Sequence, residues 1–169
     1  MSNIFSFQKS QVTAMALAVV FLFFLSGIAG AARPMPQFSL PSARDGKTVS
    51  SDDFKNKTLL ITFFATWCPP CRQEIPTLIK LQEEYADKDF SVVALSVDER
   101  GPKVVRKLIE SEKINYPVLM ATRAVANSFG GISGIPTTFL VNKKGNVVKK
   151  YPGYVPHELL VRDINTILQ

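Results

Sequence analysis

Residues 58–76 read TLLITFFATWCPPCRQEIP, and this stretch decides the fold. Thr58–Ala65 is a nearly continuous apolar run rich in β-branched and aromatic side chains, the pattern of a strand covered on both faces. Such a strand belongs at the centre of a sheet. After Pro69 and Pro70 the period changes: Ile75, Leu78, Ile79, Gln82 and Tyr85 recur at helical spacing with charges between them, so an amphipathic helix follows. The only two cysteines of the chain, Cys68 and Cys71, stand at that junction.

Working outward, Phe90–Val97 is a second buried strand, and Pro102–Lys113 a second amphipathic helix with Val105, Leu108 and Ile109 on one stripe. Pro117–Ala121 reads as a short strand, and Thr122–Phe129 as a short helix closed by Gly130 and Gly131. Thr137–Val141 and Val147–Tyr151 form a hairpin around Asn142–Asn146, and Pro156–Leu168 is a last helix carrying Leu160, Ile164 and Ile167. Upstream, 38–53 predicts an edge hairpin turning at Asp45–Gly46, with Asp52 or Asp53 capping a helix or turn. Strands alternating with helices and ending in a hairpin plus helix predict an α/β fold with a mixed central β-sheet flanked by helices.

A chain of 169 residues that is 46% apolar and 20% charged supports one globular domain. Its net charge of +6 is spread along the sequence, which argues against nucleic acid as a partner. Val12–Ala32 carries no charge and as a helix would reach roughly 30 Å, the thickness of a bilayer's hydrocarbon core. Lys9 lies on its N-terminal flank and small residues 29–32 at its end. Residues 1–32 are therefore expected to be a cleaved signal peptide or a retained N-terminal membrane anchor, 33–36 a Pro-rich linker, and 37–169 the folded domain, exported from the cytoplasm.

The cysteine pair is badly placed for a structural staple, because closing so short a loop stabilises by only about 2 kcal/mol. A structural zinc site needs four ligands and His157 is the only histidine, so no metal site is expected. Redox chemistry suits every part. The first N–H groups of a helix carry partial positive charge and lower a thiol's pKa from about 8.5, which favours Cys68 as an exposed nucleophile. Cys71, about one turn on, is within reach to resolve a mixed disulfide. Pro69 and Pro70 stiffen the loop, and Pro70 has no N–H to leave unpaired at the helix start. Soft Cu(I) binding by the same two thiols is the alternative chemistry.

FFATWCPPCRQEIP (63–76) followed by GIPTTFLVNKKGNVV (134–148) resembles the thioredoxin superfamily, and more narrowly its exported TlpA/ResA-type thiol-disulfide oxidoreductases. The likeness spans 37–168 and implies a thioredoxin-like fold with an N-terminal hairpin and a central βα insert near 100–121. It further implies a cis-proline at Pro136 facing the cysteines, with Ile135 offering backbone hydrogen bonds to an extended substrate, and Trp67, Pro69 and Pro70 shaping the substrate site. Where thioredoxin has a buried Asp, this chain has Thr62. Glu74 occupies the place of the acidic residue that TlpA/ResA-type proteins carry, and is expected either to shuttle the proton of Cys71 or to be an exposed acid near a helix start.

The resemblance implies an extracytoplasmic enzyme that reduces protein disulfides, with the haem-attachment cysteines of apocytochrome c as a candidate substrate and a transmembrane thiol reductase as electron donor. The redox couple would be the Cys68–Cys71 disulfide itself, with no cofactor. An oxidant of the same fold would use the same residues in reverse, although such oxidants usually carry a His between their cysteines. A thiol peroxidase is disfavoured, because a Thr would be expected where Ala65 stands. His157 reads as a surface residue, and Lys143, Lys144, Lys149 and Lys150 as a solvated hairpin.

Overall fold

The computed structural model describes residues 33–168; the expected export segment, Val12–Ala32, lies outside them. Six strands form one sheet in the order β1-β8-β7-β4-β5-β6, and β2 and β3 form a separate pair. The strands are β1 (Arg33–Pro34), β2 (Ser39–Pro41), β3 (Thr48–Ser50), β4 (Thr58–Phe64), β5 (Phe90–Ser96), β6 (Val118–Met120), β7 (Thr137–Val141) and β8 (Asn146–Pro152). The helices are α1 (Pro69–Glu84), α2 (Pro102–Ser111), α3 (Arg123–Ser128) and α4 (His157–Leu168). The mixed sheet expected from the alternating pattern is present: β4 runs parallel to β5 and antiparallel to β7.

Every residue of β4 is buried, as its unbroken apolar run requires. Alternate side chains serve opposite layers. Leu60 and Phe64 join a core with Ile75, Leu78 and Leu81 of α1, Val105 and Leu108 of α2, and Leu160 and Ile164 of α4. Leu59, Ile61 and Phe63 face the other layer with Phe38, Leu40, Phe54, Phe129 and Phe139. There the Phe63 ring meets those of Phe129 and Phe139 edge-on, at centroid distances of 5.2 and 6.1 Å. Each such fully buried side chain contributes about 1.5–3 kcal/mol.

Two local expectations change. Residues 33–36 were expected to link, but Arg33 and Pro34 pair with Val147 and Asn146 as an edge strand, a position where proline's missing N–H is tolerated. The turn after β3 is capped by Ser50: its Oγ accepts the Asp52 N–H at 3.2 Å, and Asp53 Oδ2 accepts the Ser50 N–H at 2.8 Å. Asp53 is thus the reciprocal partner in a capping box.

Register sets the place of the site. Phe64 at the end of β4 lies opposite Ser96 at the end of parallel β5, and Phe63 opposite Thr137 at the start of antiparallel β7. The segments after β4, after β5 and before β7 therefore meet at one end of the sheet.

Candidate active site

At that end β4 gives way to a turn in which the Cys68 N–H donates to the Ala65 carbonyl at 3.2 Å, and α1 starts at Pro69. Cys68 is the N-cap. Its Sγ accepts the Cys71 N–H at 3.3 Å, so the sulfur takes the place of the capping oxygen and faces the helix's positive end. The two cysteines are joined in a disulfide, with Cα atoms 5.3 Å apart.

Cys68 is not exposed as expected: it is 3% accessible, scarcely more than Cys71 at 2%. The cover comes from the loop before β7. The Ile135–Pro136 bond is cis, Pro136 is buried, and the Ile135 carbonyl oxygen lies 3.7 Å from Cys68 Sγ. Sequence local to the cysteines carries no sign of this lid, which arrives from 67 residues away. Trp67 is 66% exposed and stands between two open grooves. One, of about 750 Å³, includes Asp98, Arg100, Arg123 and Ile132; the other, of about 420 Å³, includes Pro69, Arg72 and Glu112. Trp67 and Pro69 flank Cys68 along the chain, the Ile135 carbonyl lies against its sulfur with the buried Pro136 next in sequence, and Pro70 is half-buried in the first turn of α1.

Glu74 lies one turn beyond Cys71 on α1 and is 2% exposed, which rules out an exposed acid. Its Oε1 accepts the Val155 N–H at 2.7 Å. Burial pushes the carboxyl up from 4.5 to about 7, against the pull of that hydrogen bond. Burial also pushes the Tyr116 phenol up, and the charge of Glu74 adds to the rise. Thr62, in the place of thioredoxin's acid, is buried and accepts the Thr138 hydroxyl at 2.9 Å. Glu74, three residues after Cys71, is the buried acid of α1.

Asp98 escaped the sequence reading. It is 6% exposed and accepts three donors: the Thr66 N–H at 2.9 Å, the Thr66 hydroxyl at 2.6 Å and the Ser96 hydroxyl at 2.8 Å. The available signal was an acid just after a largely apolar strand, at the end of the sheet where the cysteines stand. His157 lies elsewhere and is half-buried, its Nε2 3.5 Å from Glu84 Oε2 at the far end of α1, about 22 Å along the helix from Pro69. The lysine hairpin is more than solvated: Lys143 pairs with Asp89, and Lys149 with Asp163.

Residues 30–168 match the Redoxin family. The chain belongs to that family. Among curated relatives it is 39% identical to the thioredoxin-like protein YneN of Bacillus subtilis, over 65% of this chain and 64% of that protein. It is 32% identical to the thiol-disulfide oxidoreductase ResA of the same organism, over 78% of this chain and 73% of the relative. The matches thus span about two thirds to three quarters of those relatives' lengths. A thiol:disulfide interchange protein of Chlorobium tepidum superposes with a TM-score of 0.75 at 36% identity, covering 83% of this chain and 99% of that one. This Redoxin-family chain is a thioredoxin-like thiol-disulfide oxidoreductase of the ResA type, built around its Cys-x-x-Cys pair.

Proposed function

We propose that the protein works in the reducing direction, on disulfides of extracytoplasmic proteins. Cys68 thiolate attacks a substrate disulfide, forms a mixed disulfide and expels one substrate thiolate. Cys71 then gives its proton to the Glu74 carboxylate and attacks Cys68 Sγ, closing the Cys68–Cys71 bond and releasing the second substrate thiolate. Two electrons pass to the substrate, and a thiol donor recharges the enzyme.

The observation that carries this reading is the buried Glu74 carboxyl, poised near 7 one turn from Cys71. A group with that value exchanges protons at neutral pH, and its anion opposes the build-up of thiolate charge. Pro69 and Pro70 bring no cation between the sulfurs to offset it. Both effects favour the disulfide form of the enzyme, which is what a reductant needs. Trp67 and the Ile135–Pro136 segment suit an extended substrate laid across the pair.

The resemblance and the export segment support a place outside the cytoplasm, held by an uncleaved anchor or freed after cleavage. They also support a transmembrane thiol reductase as donor and the apocytochrome c cysteines as substrate. The two-electron potential tests the direction. A value at or below about −270 mV is expected, whereas one near −120 mV would make the protein an oxidant.

A further inference from the structure

We infer that Asp98 is a positioning residue for the thiol chemistry: by clamping Thr66 it fixes the Ala65–Cys68 turn and so keeps the Cys68 sulfur at the first N–H groups of α1. Asp98 follows β5, so its backbone is anchored in the sheet through the β4–β5 pairing. Its own N–H donates to Ser96 Oγ at 3.2 Å, and the Ser96 hydroxyl returns a hydrogen bond to its carboxylate. From this fixed base the two carboxylate oxygens take both polar groups of one residue, the N–H and the hydroxyl of Thr66.

Thr66 is the first central residue of the turn that ends with the Cys68 N–H on the Ala65 carbonyl. Held through backbone and side chain together, it has little freedom to rotate, and the turn keeps one shape. That shape sends Trp67 outward and leaves Cys68 at the N-cap with Sγ 3.3 Å from the Cys71 nitrogen. Burying a carboxylate whose three donors here are all neutral is unfavourable compared with a neutral side chain, and an acid is justified by its ability to accept from every direction. The clamp serves electron flow in either direction, because both require Cys68 as the thiolate.

Trp67 is the only tryptophan of the chain and directly follows Thr66, so its fluorescence reports the turn. The test uses the full chain carrying Cys71→Ser, which leaves Cys68 as its single thiol. Adding Thr66→Val, an isosteric change at a half-buried position, keeps the Asp98 charge but removes the hydroxyl bond. Cys68 alkylation by iodoacetamide at pH 7 is expected to slow about fivefold, with its pH midpoint moved upward and the Trp67 anisotropy lowered. Thr66→Ser should restore all three readings. In Asp98→Asn, loss of the charge and loss of the clamp act oppositely on the thiol, so the deciding readout there is a lowered Trp67 anisotropy. If Asp98→Asn does not fold, Thr66→Val alone decides. A Thr66→Val protein with the parent's pH midpoint and Trp67 anisotropy overturns the inference, even if it melts earlier, because Asp98 would then only stabilise the fold.

Discussion

Glu74 and Asp163 are both carboxylates on helices packed against the sheet, and their surroundings send them in opposite directions. Glu74 has the Val155 N–H as its donor, and burial lifts it to about 7. Asp163 on α4 is also partly buried, which would raise it, but hydrogen bonds from Lys149, Tyr151 and Arg162 outweigh that and bring it down to about 2. The Tyr151 hydroxyl donates at 2.7 Å, and Arg162 Nε and a terminal guanidinium nitrogen at 3.1 and 3.0 Å. Asp163 is a fixed anion that ties α4 to β8. Glu74, with no such cationic set, is left as a group that can take up and release a proton. Charged partners decide which of the two a buried carboxylate becomes.

The most drastic way to sharpen this contrast is Cys71→Ser, which should abolish turnover while trapping substrates on Cys68, detectable by mass spectrometry as mixed disulfides. In that background Glu74→Gln should leave the rate of the first attack unchanged. An equal slowing there would mean that Glu74 acts on Cys68 rather than on Cys71. With both cysteines present, Glu74→Gln should slow resolution about 100-fold in single-turnover experiments and erase an inflection near pH 7.

Glu74 should also leave a mark on stability. Its folded value of about 7 exceeds the ordinary 4.5, so between those pH values the folded state keeps a proton that the unfolded chain releases. The contribution is fully present below about pH 4.5 and declines as pH rises to about 7, by about 3 kcal/mol. Urea titrations at pH 4.5 and pH 8 should show wild type losing that much relative to Glu74→Gln.

Asp163→Asn should give the opposite pattern: a loss of about 2 kcal/mol at neutral pH with no change in the pH profile of resolution. Because the folded value of Asp163 is depressed from 3.8 to about 2, its contribution is present above pH 3.8 and lost as pH falls through about 2. Lys149→Ala should have the smallest effect, below about 1 kcal/mol by thermal melting, since its ion pair is partly solvated. A larger loss would mean that the Lys149 contact, first among those that lower Asp163, is little weakened by solvent.

What could be read from the sequence follows the range of the interactions. The strand at Thr58–Phe64, the helix after Pro69 and the Cys68–Cys71 spacing are local, and a few consecutive residues carry each of them. Glu74 could be picked out by its place after Cys71, but its burial could not, since the donor that meets it, Val155, is 81 residues on. The motif at 134–148 pointed to a cis Pro136 beside the cysteines, but the burial of Cys68 under that segment and the Asp98–Thr66 clamp depend on strand register, across separations of 67 and 32 residues. Helical and strand periods do not encode such pairings. The cap at Ser50 was missed for a different reason: several capping residues, Ser50 to Asp53, stand in a row, and periodicity does not choose among them.

Among the described residues, Arg33 and Pro34 cover only the first part of the outer edge of β8, and the rest carries exposed Lys149 and Lys150. A proline without an N–H and a pair of lysines make a poor template for another polypeptide to zip onto. Loose strands of other polypeptides pair readily with bare sheet edges. The charge on this flank discourages such pairing there.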